Sequence, residues 1–366
     1  MRDVLVIGGG PAGLATAIAA RQKGFRVTVA DGARPPIDKA CGEGLLPGTL
    51  AALSELGVHI RPGEGQPFRR IRFVDNTISA EAQFSGESGL GVRRTVLHQK
   101  MVERAEECGV ELLWNSPVTA VSPSGATVRG HAISARCMIG ADGIQSRVRR
   151  WIGLDGGSPR KVRFAQSRHY RMAQLADCVE VHWGHKMQAY VTPLGNGETC
   201  VALISSDPGM HFGEAIREFP QLADSLRNAE LSGVQRGTIT AMRTLKRVYR
   251  GNAALIGDAS GSVDAVTGEG LGLSFRQALA LAQALEAGSL EQYQEVHRRL
   301  ARRPMAMARL LLLLDQYASL RQRVLHGLAK DPDLFSRMLS IHAKETRPAF
   351  LAETGARLGW RLITTS

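Results

Sequence analysis

The fold of this chain is decided near its N-terminus by the stretch Val4-Leu5-Val6-Ile7-Gly8-Gly9-Gly10-Pro11-Ala12-Gly13. The four apolar residues predict a buried strand, and the Ala-rich segment 14–23 predicts a helix. Between them, Gly8 allows a sharp turn, Gly10 lets phosphates approach the backbone, and Gly13 lets the helix pack on the sheet. The helix N-terminus favours an anion through its free N–H groups and dipole. The stretch, including Pro11 and Ala12, therefore predicts a site for a nucleotide pyrophosphate.

A second predicted strand over residues 25–30 completes a βαβ unit. It ends at Asp31, 18 residues after Gly13, near the spacing of a carboxylate that accepts hydrogen bonds from ribose hydroxyls. The alternative is a glycine-rich turn in an ordinary parallel sheet, with Asp31 as a helix cap. Since strand, loop, helix and acid follow in the required order, we favour the dinucleotide site.

Two later segments repeat the pattern of a buried strand followed by a turn. Residues 137–149 read CMIGADGIQSRVR and place Asp142 in an Asp-Gly turn, while residues 253–259 read AALIGDA and place Asp258 in a Gly-Asp turn. The three motifs span roughly residues 1–290. Together they resemble the FAD-dependent superfamily that includes aromatic hydroxylases of the p-hydroxybenzoate hydroxylase type, geranylgeranyl reductases and flavin-dependent halogenases.

The resemblance implies that FAD is the cofactor and that the first loop holds its pyrophosphate. It implies that Asp142 helps to hold the dinucleotide and the passing nicotinamide cofactor, and that Asp258 holds the ribityl chain. Arg94 resembles the family residue that leans on the cofactor, although a solvent-facing Arg is the alternative. Because a second G-x-G-x-x-G unit is missing, NAD(P)H is expected to visit transiently as electron donor, or to be replaced by another donor.

The glycines after Asp258 predict a second helix N-terminus beside the flavin. Gly268, Gly270 and Leu271 open an Ala/Leu-rich helical segment. Its N–H groups and dipole would stabilise the negative charge that builds on the N1–C2=O edge of a reduced flavin. A surface turn is the alternative.

The expected fold class is α/β, with a Rossmann-like FAD-binding domain, an inserted β-sheet substrate domain and a helical C-terminus. We assign residues 1–60, 92–155 and 248–290 to the FAD-binding domain. Residues 61–91 and 156–247 are assigned to the substrate domain, in which the β-rich runs 179–183, 189–192 and 199–205 predict a sheet that roofs the flavin. Residues 291–366 are assigned to the helical C-terminal region.

Composition narrows the class of protein. The chain has 366 residues, 44% of them hydrophobic, which is typical of a globular protein with a large core. No run approaches the length of a transmembrane helix, and the N-terminus lacks the order of a signal peptide, so we expect a cytoplasmic protein. Five scattered cysteines indicate neither a disulfide framework nor a metal site. With 5% aromatic residues and no recognition motif, nucleic acid is not an expected partner.

The net charge of +12 is uneven. Residues 146–173 carry eight basic side chains, which are a candidate surface for steering NADPH phosphate or an acidic substrate. Residues 291–366 are basic too, with Arg309, Arg321 and Arg323 interrupting apolar residues. Such a helix could touch anionic lipid, but packing on its own protein is the more frequent arrangement and is favoured here. No oligomeric state follows from the sequence.

Three residues are candidates for catalysis. Glu43 and Glu269 are the acids of the flavin-side motifs that could act as a general base toward a phenol, or instead cap a helix. Cys41 lies in Lys39-Ala40-Cys41-Gly42, which resembles the Lys-x-Cys-Gly stretch of geranylgeranyl reductases. It would either donate a proton or gate oxygen access, or merely fill space.

The favoured activity is NAD(P)H-dependent hydroxylation of a small, apolar phenolic or polyketide-like substrate. Gly261 stands where hydroxylases usually have His, and Gly268-Glu269-Gly270 resembles the reductases, so reduction of alkene bonds in an isoprenoid or lipid is the first alternative. A flavin-binding protein without turnover is another. Halogenation is disfavoured because the tryptophan-rich halogenase motif is missing. Four residues of the predicted roof are further candidates that usually have structural roles: His169, Tyr170, His182 and Tyr190.

Overall fold

The computed structural model describes residues 2–156, 160–172 and 177–343, with positions 354 and 357. Within these ranges the α-helices are α1 (Pro11–Gln22), α2 (Pro47–Glu55), α3 (Arg94–Glu107), α4 (Arg147–Trp151), α5 (Phe212–Ala215), α6 (Pro220–Leu226), α7 (Gly270–Glu286), α8 (Leu290–Gln316), α9 (Ala318–Ala329) and α10 (Pro332–Ala343). Short 3-10 turns cover Gly195–Gly197, Ile216–Glu218, Gly257–Ser260 and Ala265–Thr267.

The strands of the same ranges form three sheets. They are β1 (Arg2–Ile7), β2 (Val27–Ala30), β3 (Gly44–Leu45), β4 (Gln66–Phe68), β5 (Arg70–Asp75), β6 (Ile78–Gln83), β7 (Gly89–Gly91), β8 (Glu111–Leu113), β9 (Val118–Ser122), β10 (Gly125–Val128), β11 (His131–Gly140), β12 (Arg160–Arg171), β13 (Cys178–Trp183), β14 (Met187–Pro193), β15 (Glu198–Ser205), β16 (Glu230–Leu231), β17 (Arg236–Thr244), β18 (Tyr249–Arg250), β19 (Ala253–Leu255) and β20 (Gly261–Ser262).

The first sheet is the Rossmann-like part of the fold. Its order is β18-β19-β11-β1-β2-β8, and the pairs from β19 to β8 are parallel. Helix α1 connects β1 to β2 and packs against α3 and α7. It begins at Pro11, three residues before the predicted start, because proline is well suited to the first helical position. Strand β2 starts two residues later than predicted, since the chain is still turning after Gly24, whose φ is +85°.

The second sheet, hereafter the roof, has the order β20-β17-β12-β15-β14-β13-β5-β6, with β16 paired to β12. The three predicted β-rich runs lie within β13, β14 and β15. Residues 61–91 add β5 and β6 to one edge, where β5 pairs in parallel with β13. A third, small sheet orders β3-β7-β4.

The strands fall close to the assigned domain pieces. Those of the first sheet come from 1–60, 92–155 and 248–290, and most of the roof comes from 61–91 and 156–247. Strand β20 crosses this division, since it lies in 248–290 and pairs with β17 of the roof. The domain boundaries themselves stay a prediction.

The C-terminal region packs on the roof. Helices α9 and α10 contact β6, and the core between them includes Phe73, Trp183 and Phe335. Arg321 of α9 is buried and donates from Nε to Asp75 over 2.7 Å, which ties the helices to the roof by a buried ion pair. None of the described helices combines the length and apolar composition needed to cross a bilayer. Residues 344–353, 355–356 and 358–366 of the assigned C-terminal region lie outside the described part of the chain.

Candidate active site

A cavity of about 900 Å³ is lined by residues from both large sheets and from the C-terminal helices. One group of lining residues comes from the predicted cofactor motifs: Gly8, Gly10, Pro11, Ala12, Asp31, Arg94, Asp142, Asp258, Gly268, Gly270 and Leu271. The other group is apolar and comes from the roof and from α8, α9 and α10, for example Ile71, Phe73, Val179, Val181, Met307, Leu311, Leu314, Val324 and Phe335. The cavity therefore joins a polar loop region to an apolar chamber.

The glycine loop after β1 is shaped to receive a bulky anion. Gly8 has a φ of +112°, and a Cβ on Gly13 would lie 1.9 Å from the Gly8 carbonyl oxygen, so this approach of helix to loop requires glycine. At Gly10, no described atom lies within 4 Å of the position that a Cβ would take, and the residue lines the cavity. The N-terminus of α1 has no side-chain cap. The loop therefore offers open backbone and free amides to a pyrophosphate.

Asp31 lies at the end of β2 and lines the cavity. Its Oδ2 accepts a hydrogen bond from the Gly9 amide over 2.6 Å, and its Oδ1 accepts one from the Ala33 amide over 2.7 Å. The carboxylate thus fixes the loop to the end of the strand. Because each carboxylate oxygen has two lone pairs, both oxygens can still accept from a ribose.

His98 is a positioning residue of this loop that the sequence analysis missed. It is fully buried on α3, its Nε2 lies 2.9 Å from the Gly9 carbonyl oxygen, and its Nδ1 accepts from the Ile37 amide over 3.4 Å. Burial lowers the pKa of His98, which favours the neutral ring that this pairing requires. The sequence could have indicated His98 by its spacing, since it lies four residues after Arg94 and therefore on the same face of one helix.

Asp142 lines the cavity, but its carboxylate is engaged by its own chain. Oδ1 accepts from the Ser146 hydroxyl, and Oδ2 accepts from the amides of Arg147 and Val148 over 2.7 and 3.0 Å. Asp142 therefore shapes the start of α4. Its predicted role toward the dinucleotide stays a prediction.

The predicted basic surface over 146–173 is in part interior. Arg149 is 2% exposed and donates to the carbonyl oxygens of Ile144 and Ala259, so it joins the Asp-Gly and Gly-Asp turns. Arg163 is 3% exposed and donates to Oδ1 of Asp264 over 2.9 Å. Asp264 in turn accepts from the Val266 amide over 3.0 Å and fixes the turn before α7. These two arginines organise the site and cannot steer a partner from solution.

The second helix N-terminus faces the same cavity. Gly268 adopts a left-handed conformation with a φ of +67°, and α7 begins at Gly270 without a side-chain cap. Asp258 is half-buried at the cavity wall, and its carboxylate has no hydrogen bond or ion pair with any of the described residues. A free carboxylate and free amides suit a ligand that has both hydroxyl donors and a negatively charged edge, as the ribityl chain and reduced ring of a flavin do.

Arg94 and Glu43 meet where α3 begins. Arg94 lines the cavity, and its buried Nε has no hydrogen-bond partner among the described residues, which leaves a donor for a bound group. Its backbone amide donates to Oε1 of Glu43 over 2.7 Å, while Oε2 of Glu43 lies 2.7 Å from Nε2 of His169. Glu43 therefore caps α3, the alternative role considered for it, while the residue also lines the cavity. Its role as a general base stays a prediction.

Glu269 does not lie among the residues that line the cavity. It is 6% exposed, and its Oε2 accepts from Arg276 over 3.4 Å. The carboxylate thus pairs with a side chain of the second turn of α7. The role of Glu269 as a general base stays a prediction.

Cys41 lines the cavity as a half-buried free thiol. Its Sγ accepts from the Glu43 amide over 3.4 Å, and its carbonyl oxygen accepts from the buried thiol of Cys200 over 3.4 Å. Ligand atoms of Glu43, His169 and Cys200 lie within 4.8 Å of one another. The hydrogen bonds of Glu43 to His169 and to α3 account for this buried cluster.

Of the four candidate residues in the roof, Tyr190 alone lines the cavity. His182 is buried and pairs with Glu180 over 2.8 Å, and Tyr170 packs in a separate apolar cluster with Phe212. The Tyr190 hydroxyl donates to the Val266 carbonyl oxygen over 2.7 Å. Burial raises the pKa of Tyr190, so the phenol stays protonated.

Known proteins resemble this chain over most of its length. The family model described as FAD binding domain matches residues 1–207. A probable 2-heptyl-3-hydroxy-4(1H)-quinolone synthase of Rhodococcus erythropolis is 29% identical over 310 residues, which cover 78% of this chain and 80% of the relative. Digeranylgeranylglycerophospholipid reductase 1 of Methanothermobacter thermautotrophicus is 25% identical over 324 residues, which cover 81% of this chain and 80% of the relative.

A solved structure shares the whole fold. A flavoprotein/dehydrogenase from Cytophaga hutchinsonii superimposes with a TM-score of 0.85 over all of both chains at 20% identity. The expected resemblance to the hydroxylase and reductase superfamily is confirmed, and FAD is the cofactor, with NAD(P)H the typical donor of the family. The chain therefore belongs to the FAD binding domain family and is an FAD-dependent oxidoreductase.

Proposed function

We propose that this oxidoreductase is an NAD(P)H-dependent monooxygenase that hydroxylates an apolar aromatic ring bearing a hydrocarbon tail. The observation that carries the proposal is the hydrogen bond from the Tyr190 hydroxyl to the Val266 carbonyl oxygen at the cavity wall. Having donated its proton, the hydroxyl presents only acceptor lone pairs to a ligand. It would accept a hydrogen bond from a ring O–H or N–H.

Such a hydrogen bond raises the electron density of the ring, which favours attack by an electrophilic oxygen. The cofactor, when bound and reduced, supplies the electrons and activates dioxygen. Tyr190 would orient the ring, and the free amides at the N-terminus of α7 would stabilise negative charge on the cofactor when it is bound. Neither Glu43 nor Glu269 is needed as a base, in keeping with their structural partners.

The apolar chamber supports a substrate with a tail. Its walls are side chains of the roof and of the three C-terminal helices, among them Phe73, Val181, Leu314 and Phe335. Burying hydrocarbon there is favourable by about 25 cal/mol per Å², and the same walls keep water from the reacting atoms. The names of the two curated relatives contain a heptyl and a digeranylgeranyl group, both hydrocarbon chains.

Reduction of an alkene in a lipid is the second candidate. The observation in its favour is the thiol of Cys41 at the cavity wall, in the motif that resembles the reductases. A reductase must deliver a proton as well as a hydride, and Cys41 is placed to donate one. Hydroxylation does not require a proton from Cys41.

The deciding experiment incubates the FAD-loaded protein with NADPH and a 4-quinolone or naphthol that carries an alkyl chain. Under isotopically labelled dioxygen, we expect one labelled oxygen atom in the product by mass spectrometry. A parallel anaerobic reaction contains a geranylgeranyl lipid. Saturation of that lipid, with no label in the ring, would establish the reductase instead. Bound FAD with no NAD(P)H oxidation in either reaction would indicate a flavin-binding protein without turnover.

A further inference from the structure

The second half of α8 has an outward face that combines apolar and basic side chains. Leu310, Leu313 and Tyr317 are 37%, 42% and 50% exposed and are among the most exposed large hydrophobic side chains described. Arg302 and Arg309 are also exposed. Arg302, Arg309, Leu310 and Leu313 lie along one stripe of α8, and Tyr317 follows directly after the helix ends at Gln316.

This face adjoins the apolar chamber. Met307, Leu311 and Leu314 lie on the neighbouring side of α8 and line the cavity. Leu310 belongs to both surfaces, since it lines the cavity and is 37% exposed. At Leu310 the wall of the chamber is therefore also the outer surface of the protein.

The exposed charged side chains around this face, in residues 296–326, all have the same sign. Between residues 296 and 326 the sequence contains one acid, Asp315. Its side chain is 12% exposed, accepts from Gln188 and lies 3.9 Å from Arg163, so it belongs to the interior. The exposed charged side chains of the stretch are basic: Arg298, Arg299, Arg302, Arg303, Arg309 and Arg323.

We infer that this face docks on an anionic lipid bilayer, with Leu313 and Tyr317 at the level of the acyl boundary and the arginines on the headgroups. Apolar side chains flanked by arginines on one helix are the arrangement that binds anionic interfaces, through burial of apolar area and attraction to negative headgroups. A nucleic acid would bind the arginines through its phosphates, but it would not bury the exposed leucines. The inference rests on the proposed function in one respect: the contact lets a hydrocarbon-tailed substrate pass between bilayer and chamber beside Leu310.

The test is co-sedimentation of the FAD-loaded full chain with phosphatidylglycerol vesicles at low salt, beside phosphatidylcholine vesicles. We expect binding to the anionic vesicles that is lost at high salt. The double variants Leu313→Glu/Tyr317→Glu and Arg302→Glu/Arg309→Glu should each weaken it by about tenfold or more. Matched controls are Leu231→Glu/Val234→Glu, which alters exposed hydrophobic residues elsewhere, and Arg217→Glu/Arg247→Glu, which makes the same change of charge elsewhere.

Absence of binding to either vesicle, or equal loss in the control variants, would overturn the inference. So would a dimer in sedimentation velocity that dissociates on Leu313→Glu/Tyr317→Glu without any vesicle binding, since the face would then be a contact between two copies. Turnover of a short-tailed, water-soluble substrate does not need a membrane, so it tests the proposed function independently of the docking. Intact turnover with failed vesicle binding contradicts the docking alone, whereas vesicle binding without turnover contradicts the proposed function alone.

Discussion

The Oε2 atom of Glu43 lies 2.7 Å from Nε2 of His169, and both side chains are buried. The other oxygen of Glu43 accepts from the first amide of α3, that of Arg94. This pairing turns an acid beside the cavity into a structural tie between the Cys41–Glu43 loop, the roof and α3. The general-base role of Glu43 stays a prediction that substitution can test.

Substitution of Glu43 by Gln should cost stability and leave the pH profile of kcat/KM unchanged in shape. Weakening a buried, charge-assisted hydrogen bond costs about 1–3 kcal/mol, measurable by urea unfolding. His169→Gln should cost a similar amount, and the double variant should lose less than the sum of the two, because the residues share one interaction. Loss of the acidic limb of the pH profile in Glu43→Gln would instead identify Glu43 as the base.

Tyr190→Phe should lower kcat/KM for a ring with a free hydroxyl by about tenfold to a hundredfold, the effect of losing a hydrogen bond worth about 1–3 kcal/mol. The same substrate with its hydroxyl methylated should show no difference between the wild-type protein and the variant. Tyr170→Phe is the matched control, since Tyr170 is buried in another cluster and does not line the cavity. An unchanged kcat/KM with the free hydroxyl would remove Tyr190 from the mechanism.

Cys41→Ala should retain the flavin spectrum and hydroxylation within about twofold, since no proton from the thiol is required for oxygen insertion. Cys108→Ala, at the end of α3, controls for removal of a half-buried thiol that does not line the cavity. Loss of turnover by a hundredfold or more in Cys41→Ala, with the control unaffected, would support the reductase chemistry described above.

Gly13→Ala should impair FAD binding. The added methyl group would lie 1.9 Å from the Gly8 carbonyl oxygen, so α1 and the loop must separate, at a cost of about 1–3 kcal/mol. The measurement is the FAD content of the purified protein together with its unfolding in urea. Gly213→Ala is the control, because it also places a methyl group at a helical glycine but meets no atom within 4 Å. Full FAD content in Gly13→Ala would show that the loop tolerates this separation.

Stability should fall as the pH is lowered from 6.5 to about 4, partly because of His297. Burial lowers the pKa of His297 from its ordinary 6.5 to about 4, and its Nε2 lies 2.8 Å from the Ser260 hydroxyl in the Gly-Asp turn. The unfolded chain therefore binds this proton first on acidification, which removes about 3 kcal/mol of folding free energy across that window. Unfolding in urea from pH 7 to 4 should show a smaller decline for His297→Gln.

The exposed His326 provides the control for that series. His326→Gln should leave the decline of the wild-type protein in place. An identical decline in the wild-type protein and His297→Gln would mean that His297 contributes nothing to the acid sensitivity.

Features that depend on residues close together in the sequence were predictable, whereas features that depend on remote residues were not. The glycine loop, α1 and β2 were predictable because turn, helix and strand depend on neighbours within the βαβ segment. Gly8 is needed for its positive φ, and Gly13 for its close approach to the Gly8 carbonyl oxygen. Three roof strands, β13, β14 and β15, were predictable from their β-rich runs, whereas β12 and β17 were not predicted. Small differences, such as the early start of α1, reflect capping by Pro11.

The sequence by itself therefore determined the cofactor class and the order of its motifs. Only the tertiary structure decided which acids have hydrogen-bond partners, because those partners are remote in the sequence. Glu43 pairs with His169, 126 residues away, whereas Asp258 has no hydrogen bond or ion pair with any described residue. It also decided that α8, α9 and α10 close an apolar chamber over the site. Burial and hydrogen-bond partners are properties of the packed chain, and a motif specifies them only where its own neighbours supply the contacts.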